Sequence, residues 1–217
     1  MPLPKDNLLF GFEPKLTDEQ REYVNSIFDY RFTIVNAKAG TGKTTLAVAV
    51  AKILQKPLYY IFSPVEERTM GFRPGDQREK ESSYISPLKD ALLEINENPD
   101  VAIYNPEKTE LLKNEKAWVY PMSHVFARGI NIRDKVVIID EAQNFTRSEL
   151  KKILTRIHDD CKVVMIGHDN QCDLPNPHKS GFVPYVEHFK TESYVRICEL
   201  TYNFRGELAN HADLLTW

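Results

Sequence analysis

The sequence has 217 residues, of which 42% are hydrophobic and 27% are charged, and this fits one globular domain with a full core. The formal net charge is −3, with 31 acidic against 28 basic residues, which excludes a basic field over the whole chain. The amino terminus lacks the apolar core of a signal peptide, and no run approaches the length of a membrane span. We therefore expect a cytoplasmic protein that makes no membrane contact.

The amino-terminal part predicts an arm followed by a helix. Residues 1–15 contain three prolines and little periodicity, so we expect an arm there and a single domain over residues 16–217. Thr17 is a candidate helix N-cap with Gln20 three residues later, a pattern typical of a capping box. Gln20 has a second interpretation, in which its amide binds adenine through two hydrogen bonds. The sequence leaves both open.

The strongest motif is Ala-Lys-Ala-Gly-Thr-Gly-Lys-Thr at residues 37–44. An apolar strand, 32–35, precedes it and an apolar helix, 44–54, follows it, which is the context of a phosphate-binding P-loop. In this interpretation Lys43 reaches the β- and γ-phosphates and the Thr44 hydroxyl binds Mg²⁺. Ala37 stands where the usual pattern has its first glycine. The predicted nucleotide-binding residues of this loop are Ala39, Gly40, Thr41, Gly42, Lys43, Thr44 and Thr45.

The middle of the chain predicts short strands around an irregular loop. Residues 58–62 read as a buried strand, 88–95 as a helix, and 101–104 and 117–120 as short strands. Residues 63–86 lack periodicity and contain two glycines and Pro74 within Gly71–Asp76, which predicts a mobile or ligand-contacting loop.

A second motif begins with the apolar run at residues 136–139, which predicts a strand buried on both faces in a parallel sheet. Asp140 and Glu141 follow directly, at the end of the strand where open α/β sheets bind ligands. Asp140 can hold Mg²⁺ through water, and Glu141 can polarise an attacking water.

Two polar residues further along are also candidates. After a predicted helix at 150–157 and a strand at 163–166, Gln171 either senses the γ-phosphate or lies in a solvated turn, and the sequence leaves this open. The last predicted strand, 194–200, leads through Arg205 to a short helix that ends at Trp217.

These motifs together resemble the PhoH family of phosphate-starvation-inducible P-loop ATPases, which is similar to the first RecA-like core of first-superfamily helicases. The resemblance spans residues 16–182 and implies an α/β RecA-like P-loop NTPase fold, with a mostly parallel sheet and helices on both faces. It rests on residues 39–44, Gly71–Asp76, Arg128–Gly129, Asp140–Asn144, and Gln171 with Asp173–Pro175.

The resemblance implies Mg²⁺-dependent ATP hydrolysis, with coupling to single-stranded RNA or DNA as a further expectation. Lys43, Glu141, Gln171 and Arg205 are the expected catalytic residues, and Thr44 and Asp140 the metal ligands. Two other functions stay open. One is a small-molecule P-loop kinase, and the other is a nucleotide-gated interaction module with negligible turnover.

Arg205 also leads to an expectation about assembly. In the similar helicases this arginine faces nucleotide held by another core, and here only twelve residues, 206–217, follow it. We expect a homo-oligomeric ring in which a neighbour receives the arginine, and the resemblance points to a hexamer. A fold-back onto its own site and a surface ion pair are the alternatives.

Overall fold

A computed structural model of the protein describes residues 15–64, 84–106, 115–169 and 171–212. These residues form one six-stranded sheet in which every strand pair is parallel, in the order β3-β2-β4-β5-β1-β6. The strands are β1 (Phe32–Ala37), β2 (Leu58–Phe62), β3 (Val119–Ser123), β4 (Val136–Ile139), β5 (Lys162–Gly167) and β6 (Val195–Leu200). The predicted parallel α/β architecture is confirmed.

Helices cover both faces of this sheet. The helices are α1 (Asp18–Asp29), α2 (Lys43–Ile53), α3 (Ser86–Glu94), α4 (Pro99–Ala102), α5 (His124–Ala127), α6 (Arg147–Leu154), α7 (Phe182–Phe189) and α8 (Glu207–Ala212). α1, α2 and α3 pack on one face, while α5, α6 and α7 pack on the other. All four residues of β4 are buried, because apolar side chains from helices on both faces cover this central strand.

Capping residues fix where two of the helices begin. Thr17 starts α1 with the predicted capping box, in which its hydroxyl accepts from Gln20 N and the Gln20 side chain accepts from Thr17 N. Thr146 and Glu149 form the same arrangement at the start of α6. α2 is apolar nearly all round, and its residues 46–51 are buried against the sheet.

The predicted strand at 101–104 is wrong. Residues Pro99–Ala102 form the short helix α4, which begins because the Asn98 side chain accepts from Asp100 N at 2.9 Å and Pro99 suits a first helical turn. Ile103 makes only an isolated bridge to Val119. The neighbouring strand lies at 119–123 instead of 117–120. Helix α7 was not predicted.

Several expectations concern residues outside the described ranges. The Gly71–Asp76 loop lies there, as do residues 1–14 of the predicted arm and the last five residues, 213–217. Within the described ranges, no helix combines the length and the apolar character needed to cross a bilayer.

Candidate nucleotide-binding site

The P-loop connects β1 to α2 at the carboxyl edge of the sheet, by which we mean the end where the parallel strands finish. Gly40 and Gly42 have φ values of 75° and 77°, a left-handed conformation that glycine adopts without steric cost. Ala37 is the last residue of β1, so its backbone is extended and tolerates a side chain. Ala39 lies in the turn before Gly40. The loop therefore adopts the predicted conformation even though Ala37 replaces the first glycine of the motif.

Lys43 opens α2 and projects toward the acidic end of β4. Its side chain is largely buried, and its Nζ donates to the Ala37 carbonyl at 3.4 Å. The same Nζ lies 3.5 Å from Glu141 Oε1. The P-loop lysine and the second acid after β4 thus form an ion pair across the site.

Asp140 is almost fully enclosed, with a relative exposure of 1%. Its Oδ2 accepts from Thr44 Oγ1 at 3.1 Å and from the Tyr60 hydroxyl at 2.5 Å, and its Oδ1 accepts from Glu141 N at 2.9 Å. Burial, followed by the nearby charge of Glu141, raises the pKa of Asp140, while Lys43 opposes this shift. Tyr60 was not singled out from the sequence, since nothing in an apolar strand marks one tyrosine as the partner of a distant acid.

The Thr44–Asp140 pair has the chemistry of a Mg²⁺ site. Hydroxyl and carboxylate oxygens are hard donors of the kind Mg²⁺ prefers, and the two side chains already touch. The described parts of the chain hold no group of three or more His, Cys, Asp or Glu suited to a metal ion. These residues fit Mg²⁺, provided that further ligands come from phosphate oxygens or water.

Glu141 has a strained backbone and a restrained side chain. Its φ and ψ of 50° and 48° lie in the left-handed region, which is uncommon for a residue with a side chain. The Gln143 Nε2 donates to Glu141 Oε2 at 2.5 Å, and the Gln143 Oε1 accepts from His168 N at 3.0 Å. Gln143, for which no separate role was predicted, therefore connects the end of β4 to the end of β5.

Gln171 lies beyond β5 and is exposed, with its N–H donating to the His168 carbonyl at 3.4 Å. Among the described contacts, none joins the Gln171 side chain to the P-loop. Nearby, Asn144 Nδ2 donates to Asp173 Oδ2 at 2.9 Å, and Asp173 N donates back to Asn144 Oδ1 at 2.8 Å. The γ-phosphate-sensing role of Gln171 stays a prediction.

Gln20 contacts both the start of its own helix and the P-loop. Its Oε1 accepts from Thr17 N at 3.1 Å, and its Nε2 donates to the Thr41 carbonyl at 2.9 Å. The capping interpretation is confirmed, and the adenine contact stays a prediction. The Thr45 hydroxyl, also a predicted nucleotide-binding group, donates to Glu94 on α3 at 2.5 Å.

Arg205 belongs to a segment that packs on the P-loop of its own chain. Phe204 N donates to the Gly40 carbonyl at 2.9 Å, and Arg205 N donates to Asn203 Oδ1 at 2.7 Å. A Cβ built on Gly40 would lie 2.5 Å from Asn203 Oδ1 and 2.7 Å from Arg205 Cγ, so a side chain there would displace both residues, and the φ of 75° would strain it as well. The roles of Arg205 in its own site, in a neighbour's site or in a surface ion pair stay predictions.

The family model described as PhoH-like protein matches residues 13–211. A PhoH-like protein of Synechocystis sp. is 36% identical over 191 residues, covering 85% of this chain and 55% of its own length. Protein PhoH of Escherichia coli is 30% identical over 186 residues, covering 83% of this chain and 51% of its own. The chain thus spans about half the length of the curated relatives it matches.

Two solved structures share the fold at low sequence identity. The UvsW helicase from bacteriophage T4 has a TM-score of 0.55 and 13% identity, covering 92% of this chain and 68% of its own. A large terminase from the thermophilic bacteriophage D6E has a TM-score of 0.51 and 13% identity, with coverages of 85% and 45%. The fold is therefore that of a RecA-like P-loop nucleotide-binding protein, and the chain belongs to the PhoH family.

Proposed function

We propose that this protein hydrolyses ATP in a Mg²⁺-dependent reaction at the carboxyl edge of its sheet. The observation that carries the proposal is that two side chains of the P-loop contact the two acids at the end of β4. The P-loop lysine lies 3.5 Å from Glu141, and the P-loop hydroxyl of Thr44 lies 3.1 Å from Asp140. Phosphoryl transfer to water requires a cation for the phosphates, ligands for the metal, and a separate carboxylate that activates the water. Lys43, the Thr44–Asp140 pair and Glu141 would supply these parts.

In this mechanism the P-loop amides and Lys43 bind the phosphates, and Thr44 and Asp140 hold Mg²⁺. The metal would neutralise charge on the β- and γ-phosphate oxygens. Glu141 orients a water toward the γ-phosphorus and accepts its proton as the new P–O bond forms. The bond to the β–γ bridging oxygen breaks, which leaves ADP and inorganic phosphate. Lys43 stabilises the charge that develops on the transferred group.

Gln143 holds Glu141 for this role, because its amide donates to the carboxylate at 2.5 Å while its oxygen is fixed by His168 N. Arg205 approaches the γ-phosphate from the segment packed on Gly40, and Gln171 senses that phosphate from beyond β5. Gln20 binds adenine through two hydrogen bonds, with the Nε2 hydrogen and the Oε1 lone pair that its contacts to Thr41 and Thr17 leave over. We assign Arg205 to the site of its own chain, because its segment packs on Gly40. A homo-oligomeric ring stays an expectation from the family resemblance.

Coupling to single-stranded RNA or DNA is the second part of the proposal. The T4 protein with a similar fold is a helicase, and the likeness in fold suggests the same expectation for the present chain. Phe126, Tyr202 and Phe204 are exposed aromatic side chains in the described ranges, and rings of this kind stack on unpaired bases.

The decisive experiment measures phosphate release from Mg-ATP with no added acceptor, with and without single-stranded RNA or DNA. We expect release by the parent protein and none above background in Glu141→Gln, which keeps Mg-ATP binding by titration calorimetry. The amide preserves the shape of Glu141 but accepts no proton.

Each other outcome contradicts a named part of the proposal. Phosphate transfer only to an added small molecule would make the protein a kinase. Tight binding without turnover in the parent would make it a nucleotide-gated module. Equal loss of binding and turnover in Glu141→Gln would make Glu141 a metal ligand or a structural residue, and a rate unaffected by either nucleic acid would remove the coupling.

A further inference from the structure

The first turn of α1 holds both backbone segments that border the P-loop. Gln20 Nε2 donates to the Thr41 carbonyl on one side. The preceding residue, Glu19, accepts from Thr201 N at 2.7 Å and from Thr201 Oγ1 at 2.6 Å on the other side. Thr201 begins the stretch 201–205, which we call the arginine segment. Consecutive residues of one helix therefore contact the P-loop and the arginine segment.

The arginine segment runs beside the P-loop as a continuation of the β1–β6 pairing. Ala37 pairs with Leu200, Lys38 N donates to the Leu200 carbonyl at 3.2 Å, and Phe204 N donates to the Gly40 carbonyl. Between these contacts the segment leaves the sheet at Thr201. The Glu19 carboxylate accepts both of its hydrogen bonds from Thr201, the residue at which the segment leaves the sheet.

Apolar packing contributes little to holding the segment. Thr201, Tyr202, Phe204 and Arg205 are all exposed, and only Asn203 is buried. Polar contacts must therefore set its position against the loop. The hydrogen bond from the Thr201 side chain, followed by that from its backbone, lowers the pKa of Glu19, so the group is a carboxylate at neutral pH. Hydrogen bonds to a charged acceptor are stronger than those between neutral groups.

We propose that Glu19 is a positioning residue for Arg205. Through Thr201 it fixes the arginine segment against the P-loop, so that Arg205 reaches the γ-phosphate in one geometry. Glu19 touches neither nucleotide nor metal in this account, and its role rests on the proposed ATP hydrolysis. Preorganisation of this kind acts on turnover more than on substrate binding.

The test compares Glu19→Ala with Glu22→Ala. Glu22 lies one turn further along α1 and also contacts β6, through Arg196. Among the contacts of the described residues, none joins Glu22 to the arginine segment. We expect Glu19→Ala to lower kcat about tenfold and to change KM by less than about twofold. Glu19→Gln, which keeps an acceptor oxygen for Thr201, should lose less. Glu22→Ala should match the parent.

Two further measurements separate positioning from general destabilisation. In the Arg205→Ala background, Glu19→Ala should cause no additional loss of kcat, since it acts through that arginine. Hydrogen exchange without nucleotide should show faster exchange of the Thr201 and Phe204 amides in Glu19→Ala, with the amides of β1 unchanged. Because exchange needs no turnover, it measures the anchor directly.

An equal loss of kcat in both backgrounds, or unchanged exchange at Thr201 and Phe204, would overturn the role of Glu19. So would a Glu19→Ala protein that hydrolyses ATP at the parent rate. A parent protein that releases no phosphate would overturn the proposed function itself, and with it the role of any residue that acts through Arg205.

Discussion

Charged side chains lie at both edges of the sheet, but their surroundings differ. At the amino edge, Lys56 lies 2.7 Å from Asp134 and Arg31 lies 3.0 Å from Asp159, and the side chains of these acids are 72% and 89% exposed. At the carboxyl edge, Asp140 is buried beside Glu141, another acid. These two amino-edge ion pairs are solvated, while Asp140 and Glu141 place two like charges side by side.

This difference indicates that the functional arrangement at the carboxyl edge lowers the stability of the fold. Burying Asp140 next to the charge of Glu141 and holding Glu141 in a left-handed conformation both oppose folding. Lys43, Tyr60 and Gln143 offset part of that cost through the contacts described above. Exposed ion pairs, in contrast, contribute about 0–1 kcal/mol each and cost little to lose. Substitutions at the two edges should therefore have different signatures.

The largest effect is expected for Lys43→Ala. Removing the cation that binds the phosphates should lower ATP turnover by ~10²-fold or more. The fold should persist, because the Lys43 ammonium contacts polar groups and not the apolar core. Phosphate release and circular dichroism on the same sample check both statements. A variant with parent turnover would contradict the P-loop assignment.

Tyr60→Phe should have the next largest effect. It removes the hydroxyl that donates to Asp140 while leaving the ring in the core. Because partners of metal ligands orient them, we expect apparent Mg²⁺ affinity in the nucleotide complex to fall about tenfold. Titration of Mg²⁺ at fixed ATP measures this. Tyr59→Phe is the matched control, since Tyr59 lies on the opposite face of β2 and packs edge-to-face on Tyr120. Equal Mg²⁺ affinity in both variants would exclude the role of Tyr60.

Asp140→Asn should stabilise the protein without ligands, although it removes a proposed metal ligand. The pKa of Asp140 is raised in the folded state, so its stabilising effect is present below the ordinary value of 3.8 and is lost as pH rises through the folded-state pKa. At neutral pH the charged form therefore destabilises the fold, and asparagine removes that penalty. We expect Tm to rise by about 2–4 °C at pH 7.

The same reasoning gives the pH dependence of this variant. The Tm difference between Asp140→Asn and the parent should shrink as pH falls toward the ordinary pKa of an aspartate, because both proteins then carry a neutral group. Thermal unfolding over a pH series measures it. A difference that is constant with pH would mean that packing, not charge, causes the gain.

The smallest effect is expected at the amino edge. Lys56→Ala removes the pairing with Asp134 and should lower the free energy of unfolding by at most about 1 kcal/mol. ATP turnover should stay at the parent rate, since this edge lies at the opposite end of every strand from the P-loop. A loss of turnover in a fully folded Lys56→Ala protein would break the comparison between the edges.

Local patterns in the sequence were enough to predict the central part of the fold. The apolar run before Asp140 and the Gly-Lys-Thr step after β1 each lie within a few residues of the element they specify, and the parallel sheet follows from them. Local patterns also gave one wrong prediction, at residues 101–104, where β-branched residues predicted a strand. The segment is helical up to Ala102, because Asn98 and Pro99 are residues typical of a helix start.

By itself, the sequence determined the P-loop, the acidic end of β4 and the parallel architecture that brings them to one edge. Only the tertiary structure decided which groups complete the site: Tyr60 at Asp140, Gln143 between Glu141 and His168, and Glu19 at Thr201. The Tyr60 and Glu19 contacts join residues 80 and 182 positions apart. Local propensity carries no information about such pairs, because they meet only when separate strands and helices pack at the carboxyl edge.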